Sequence, residues 1–357
     1  MNVLLFTLEY TPFKGGVANY YENLVCHWSK PENIFVLHNN DNKLINKRLP
    51  FLKWLKSVRA LKSEINKNKI NYVIVGNILP LGTVVLILSR FLKFKFGVIL
   101  HGTDIAYAQK SARKKWLATK ILNNAEHIIC NSSHTLTLVR ELDEKFGEKC
   151  RVVNPGVTIN KTKKQRGKET NSLKKYNLDD KIILFSIGRF IKRKGFDKVI
   201  ELIPELVSGI SNLHYFVAGA GPDEKYLQSM PSENVHFLGK ISDEEKWDWL
   251  NACDIFVSPT REENGNFDGF GITYLEANLM GKAVIAGDSG GVRDAVLNNE
   301  TGLLVDPENK EEIKNAIIKL AIDEDLRTKL GDTGKKRAER DFQWKNQINK
   351  IYKFITA

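Results

Sequence analysis

The residues best suited to chemistry fall in one run, Asp268-Gly269-Phe270-Gly271-Ile272-Thr273-Tyr274-Leu275-Glu276-Ala277. Two carboxylates, Asp268 and Glu276, bracket a pair of glycines and the expected start of a helix near Ile272. Glycine lets a backbone come close to a ligand. The unpaired N–H groups of a helix's first turn, here Phe270 to Thr273, favour phosphate oxygens. One carboxylate lies in the loop and the other about a turn inside the helix. Carboxylates so placed can accept hydrogen bonds from the hydroxyls of a sugar and a ribose.

A second group lies upstream. Ile187-Gly188-Arg189-Phe190 ends a strand candidate, and Ile191-Lys192-Arg193-Lys194-Gly195 follows it. Arginine offers phosphate a two-pronged fork and lysine a mobile point charge. Cations held there would stabilise the negative charge that grows on a leaving diphosphate. Ala218-Gly219-Ala220-Gly221-Pro222 is another glycine turn after a strand, suited to close approach to a base or ribose.

The first half holds two weaker signals. Lys14-Gly15-Gly16-Val17 sits between a strand and a helix, where free N–H groups can meet phosphate. It is equally a tight strand–helix turn. His101-Gly102-Thr103-Asp104 follows another strand candidate, so His101 either meets a sugar hydroxyl near a reacting centre or braces its own turn. Asn131-Ser132-Ser133 reads as a helix N-cap, and Asn154-Pro155-Gly156-Val157 as a turn.

These groups need elements to position them. In the first half, strands are expected at Val3–Thr7, Ile34–His38, Tyr72–Val75, Gly97–Leu100, His127–Cys130 and Arg151–Val153. Helices are expected near Val17–Trp28, Leu49–Asn66, Leu81–Phe91, Lys114–Asn124 and Ser132–Phe146. A polar, basic stretch at 160–171 reads as a linker. The alternation then restarts, with strands at Ile182–Ile187, His214–Ala218, Val235–Leu238, Ile255–Ser258, Ala283–Ala286 and Gly302–Val305. Strands alternating with helices predict an α/β chain of two doubly wound, Rossmann-like domains, with ligands at the carboxyl ends of the strands. The expected division is 1–165, 172–335 and a C-terminal helix at 336–357 that crosses back to the first domain.

Composition narrows the classes. The net charge is +12, and residues 1–170 hold 28 Lys+Arg against 12 Asp+Glu. So basic a half suggests an anionic partner, although a solvated lysine-rich surface is the bland alternative. In the helix expected from Leu49, Phe51, Leu52, Trp54, Leu55, Val58 and Leu61 mark one side and Lys53, Lys56, Arg59 and Lys62 the other. Such a helix (49–62) either lies on an anionic membrane or faces a core. No aromatic–basic platform for nucleic acid is seen. The four cysteines, Cys26, Cys130, Cys150 and Cys253, have no metal or disulfide spacing, and reduced cytoplasmic thiols fit. No signal peptide and no bilayer-spanning run is expected. A dinucleotide fingerprint follows neither first strand, which argues against a dehydrogenase. Asp323-Glu324-Asp325 reads as a helix start rather than a metal motif.

Taken in order, Gly15-Gly16, His101-Gly102-Thr103-Asp104, Gly188-Arg189 with Lys194-Gly195, Ala218-Gly219-Ala220-Gly221 and the segment from Asp268 to Glu276 resemble the family 4 glycosyltransferases of GT-B fold. The resemblance covers nearly the whole chain. It implies two domains facing a cleft, and retaining transfer of a hexosyl group from a UDP- or GDP-sugar, with no metal or other cofactor. The acceptor would be a glycan or lipid-linked hydroxyl in cell-surface glycan or glycolipid synthesis, met mainly by the first domain. Location would be cytoplasmic, or peripheral on the inner face of the membrane. His101, Arg189, Lys194 and Asp268 would form the catalytic group. Gly15, Gly16, Gly188, Arg189, Lys194, Gly219, Gly221, Asp268, Phe270, Gly271, Ile272, Thr273 and Glu276 would bind the donor, with Glu276 on the ribose and Asp268 on the sugar. The family pattern usually has Glu where Asp268 stands, and Glu262 and Glu263 lie just upstream as candidates to compensate. A nucleotide-sugar 2-epimerase of the same architecture and a catalytically silent nucleotide-binding module are the alternatives.

Overall fold

The computed structural model describes residues 1–13, 15–45, 54–158, 173, 175–230 and 233–357. The expected linker at 160–171, Lys14 and the start of the helix expected from Leu49 lie outside them. The chain forms two compact units, Met1–Gly156 with Trp344–Ala357, and Val157–Gln343.

The first unit is a six-stranded parallel sheet: β1 (Val3–Thr7), β2 (Ile34–His38), β3 (Tyr72–Val75), β4 (Lys95–Leu100), β5 (His127–Cys130) and β6 (Cys150–Val152). Their spatial order is β2-β1-β3-β4-β5-β6. The central strands read as unbroken apolar runs because both faces are covered. Alternate residues serve opposite faces. Leu4, Phe6, Val73, Val75 and Val98 pack under the helices Leu55–Lys67, Leu81–Leu88 and Ala112–Asn124. Val3, Leu5, Tyr72, Ile74 and Ile99 face the helix Gly16–Cys26 and the last helix, Trp344–Thr356. That last helix buries Trp344, Ile348, Ile351 and Ile355 in this first-unit core. The chain therefore returns to the first unit at Trp344, while the preceding helix, Glu324–Asp341, runs across position 336 and stays with the second.

The helix Leu55–Lys67 answers one sequence question. Trp54, Val58 and Leu61 of its apolar stripe pack on the first-unit core, as does Ile65 beyond it, while Leu55 stays exposed. Of the two readings of helix 49–62, the core-facing one holds for Trp54, Val58 and Leu61. Lys56, Arg59 and Lys62 remain exposed, and Leu49 to Lys53 lie outside the described residues.

The second unit is another six-stranded parallel sheet: β7 (Ile182–Arg189), β8 (Leu213–Ala220), β9 (Val235–Gly239), β10 (Ile255–Ser258), β11 (Ala283–Gly287) and β12 (Gly302–Val305). Its order is β12-β11-β10-β7-β8-β9. Read from the β9 edge, the strands run third, second, first, fourth, fifth, sixth, the doubly wound dinucleotide-fold order. Winding reverses between β7 and β10, and the carboxyl ends of those strands form the topological switch point, where such sheets bind ligands. Asp323 caps the Glu324–Asp341 helix by accepting from the Leu326 N–H, and Glu324 and Asp325 sit in its first turn. Among the described residues no cluster of three or more His, Cys, Asp or Glu could hold a metal ion. No described helix is long and apolar enough to cross a membrane.

Candidate functional site

The loops after β7 and β10 meet at the switch point of the second unit. After β7 the chain makes one turn of 3-10 helix, Lys192–Lys194, and leaves through Gly195 at φ +74°. A Cβ at Gly195 would strike the Pro259 carbonyl in the loop after β10, so only glycine fits this crossing. The Arg261 N–H donates to the Arg193 carbonyl at 2.8 Å and ties the two loops together. The Arg261 side chain is buried, and its fork binds the Asp197 carboxylate at 3.1 and 2.7 Å.

On this base Arg193 and Lys194 both reach Asp268. Lys194 Nζ stands 2.6 Å from Asp268 Oδ2, and Arg193 Nη1 pairs with Oδ1. Asp268 is 9% exposed. Burial alone would raise its carboxyl pKa, but the charges and hydrogen bonds of Lys194 and Arg193 hold it below the usual range. Asp268 is therefore a carboxylate at neutral pH. Gly291 N–H donates to its backbone carbonyl at 2.9 Å, which fixes the loop from the far side.

Gly271, at φ +95°, is the N-cap of the helix Ile272–Leu279. It leaves that helix's first N–H groups without a side-chain cap. Phe270 is buried against Phe342, so what it can offer a ligand is backbone. Ile272 and Thr273 open the helix. Tyr274 turns inward, and its hydroxyl donates to the Ser258 carbonyl at 2.6 Å, anchoring the helix start to the end of β10. Glu276, one turn further on, accepts from Lys246 Nζ at 2.6 Å. Lys246 rides on the helix Asp243–Ala252, whose start is held by a reciprocal Ser242–Glu245 capping box.

Not every expected residue joins this group. Gly188 and Arg189 are the last residues of β7, and Arg189 ends exposed, with no recorded side-chain partner among the described residues. Gly219 and Gly221 have a packing reason to be glycine. A Cβ at Gly219 would strike the Gly188 carbonyl across the β7–β8 ladder, and one at Gly221 would strike the Phe190 backbone. Glu263, a candidate to compensate for Asp268, instead faces Lys192 at 3.8 Å. Sequence reasoning named Arg193 in the basic string without giving it a role of its own, and passed over Lys246 and the Arg261–Asp197 pair. The basic string drew attention to Arg193, but nothing local signals that Lys246 meets a carboxylate thirty positions away.

The first unit places Gly15, Gly16 and His101 near its own switch point, between β1 and β3. Gly16 starts a helix without a side-chain cap, and a Cβ there would meet nothing within 4 Å. His101 lies after β4, edge-on to Tyr20 and Tyr21 at ring distances of 5.0 and 5.3 Å. The Tyr21 hydroxyl donates to the Gly76 carbonyl at 2.6 Å, so its oxygen accepts from His101 Nε2–H at 2.8 Å. That assigns the tautomer and leaves Nδ1 as the acceptor. Burial pushes the His101 pKa down to about 4, so the ring is neutral at physiological pH. Asp104 Oδ1 accepts from the His101 and Ile105 N–H groups at 3.0 and 2.9 Å, yet burial raises this carboxyl to about 6.

Comparison with known proteins gives this geometry a class. Residues 14–161 match the model of "Glycosyltransferase Family 4", and residues 168–337 that of "Glycosyl transferases group 1". An uncharacterised glycosyltransferase of Methanocaldococcus jannaschii is 26% identical over 100% of this chain and 99% of its own. A GDP-mannose-dependent monoacylated alpha-(1-6)-phosphatidylinositol monomannoside mannosyltransferase of Corynebacterium glutamicum is 26% identical over 96% of this chain and 94% of its own. Among solved structures, Anabaena HepE in complex with UDP-glucose superposes with a TM-score of 0.78 at 16% identity, over 100% of both chains. The fold is GT-B, two Rossmann-like domains. The chain belongs to the family 4 glycosyltransferases and is a glycosyl-transferring enzyme.

Proposed function

We propose that the protein is a retaining, metal-independent hexosyltransferase that takes its sugar from a UDP- or GDP-linked donor. The observation that carries this reading is the group Lys194, Asp268 and Glu276 around the uncapped Ile272–Leu279 helix, at the switch point of a dinucleotide-fold sheet. Arg189 and Lys194 suit the donor's diphosphate, and the amides from Phe270 to Thr273 extend that anion site. Glu276 suits the ribose hydroxyls and Asp268 the transferred sugar. Mannosyltransferases that use GDP-mannose recur among the relatives, which favours GDP-mannose as the first donor to try.

Asp268 stands where the family resemblance puts a carboxylate on the sugar's hydroxyls, and suits that role better than that of a nucleophile. A same-face displacement fits, in which the leaving phosphate takes the acceptor's proton. His101, neutral and with Nδ1 as its acceptor, suits a hydrogen bond to a sugar hydroxyl rather than proton donation.

The acceptor is a hydroxyl of a glycan or lipid-linked sugar, as the names of relatives acting on phosphatidylinositol mannosides favour. The basic first half suits work as a peripheral protein on the cytoplasmic face of an anionic membrane. Incubation with donor and acceptor, with and without EDTA, tests the reading. The expected product is a glycoside whose anomeric configuration by NMR matches the donor, in equal yield with EDTA. Inversion, or complete loss with EDTA, contradicts it. A 2-epimerized sugar from donor alone would point to an epimerase instead.

A further inference from the structure

Two cations of the site already pair within the protein. Lys194 and Arg193 close on one buried carboxylate, Asp268, with side chains only 17% and 24% exposed. The arrangement is built rather than incidental. Arg193 is oriented through its own carbonyl by Arg261, whose fork is locked on Asp197, and Gly195 sets the chain direction just beyond Lys194. Two cations against one carboxylate leave one positive charge uncompensated beside an uncapped helix start. A diphosphate, an anion of higher charge, can outcompete Asp268 for them.

We propose that Arg193 is a further diphosphate-binding cation, and that Asp268 is a resident counter-ion which the diphosphate displaces. Displacement frees the carboxylate for the sugar's hydroxyls, so Asp268 is armed only when a donor is bound. Nucleotide without sugar meets the same competition but gains nothing from the freed carboxylate, and this favours release of the spent nucleoside diphosphate. The proposal rests on the transferase reading above and adds to it the role of Arg193 and the competition at Asp268.

Calorimetric titration of the full chain with UDP and GDP, and with uridine and guanosine, tests it. Arg193→Ala should weaken the nucleoside diphosphate about tenfold or more, the scale of one charge-assisted hydrogen bond, while leaving nucleoside affinity unchanged. Arg193→Lys should recover part of the loss. Asp268→Asn should bind the nucleoside diphosphate several-fold tighter than wild type while transferring poorly. Equal losses for nucleoside and nucleoside diphosphate in Arg193→Ala would make Arg193 merely structural and overturn the proposal. Weaker nucleoside diphosphate binding in Asp268→Asn would overturn the counter-ion role. If wild type binds neither nucleoside diphosphate, the UDP- or GDP-donor reading itself fails, a result distinct from the variants differing from a wild type that binds.

Discussion

At the scale of single residues, charge placement separates the two units. In the second, Lys194 and Lys246 each hold one carboxylate of the pair Asp268 and Glu276. If Lys194 meets the charge developing on the donor's diphosphate, as proposed, Lys194→Ala should lower kcat by about 10²–10³. Steady-state kinetics with saturating donor would show it. In the first unit, His101 and Asp104 carry opposed shifts. His101 has its pKa lowered to about 4 from 6.5, so its contribution to stability is present above pH 6.5 and is lost as pH falls toward 4. Asp104 is raised to about 6 from 3.8, so its contribution is present below pH 3.8 and is lost as pH rises through 6. Between pH 4 and 6 the two slopes oppose each other. His101→Gln should therefore gain stability relative to wild type as pH falls through that window, and Asp104→Asn should lose it. Thermal melts across the window check both signs.

Elements explain why the site was only partly legible in the sequence. Asp268, Glu276 and Lys194 could be read because each lies beside a glycine turn or a helix start, signals that are local. Lys246 and the Arg261–Asp197 pair could not, because their partners come from other strands and helices and only the fold brings them together. The strands were legible nearly to the residue, since buried parallel strands are apolar throughout. β7 and β8 nevertheless run on through Gly188–Arg189 and Gly219–Ala220, glycine-bearing ends that read as turns. The helix Thr103–Gln109 was missed because it is short and starts inside a string that reads as a turn. Gly219→Ala tests the packing account. A Cβ there must push the Gly188 carbonyl aside, so melting temperature and nucleotide affinity should both fall. The last helix makes a second test, since Ile351 is fully buried beneath it. Ile351→Ala should cost about 2–5 kcal/mol in denaturant unfolding.

For the whole molecule, charge and fold divide the work. The positive excess lies in the first half, whereas the cation–carboxylate group lies in the second unit. Pull-down on vesicles with anionic lipid should retain the protein at low salt and release it as salt rises, with little binding to zwitterionic vesicles. Equal binding to both would remove the charge argument for a membrane role. A thermal-shift and donor-hydrolysis screen with UDP-, GDP-, ADP- and dTDP-sugars, using Glu276→Ala as control, probes the nucleotide-sugar site of the second unit. Ligand binding raises melting temperature by mass action. One nucleotide class should stabilise the wild type, do so equally with EDTA, and fail to stabilise Glu276→Ala. Stabilisation by none of the donors, with EDTA or with added metal, would contradict that site and leave a silent fold in place of a transferase.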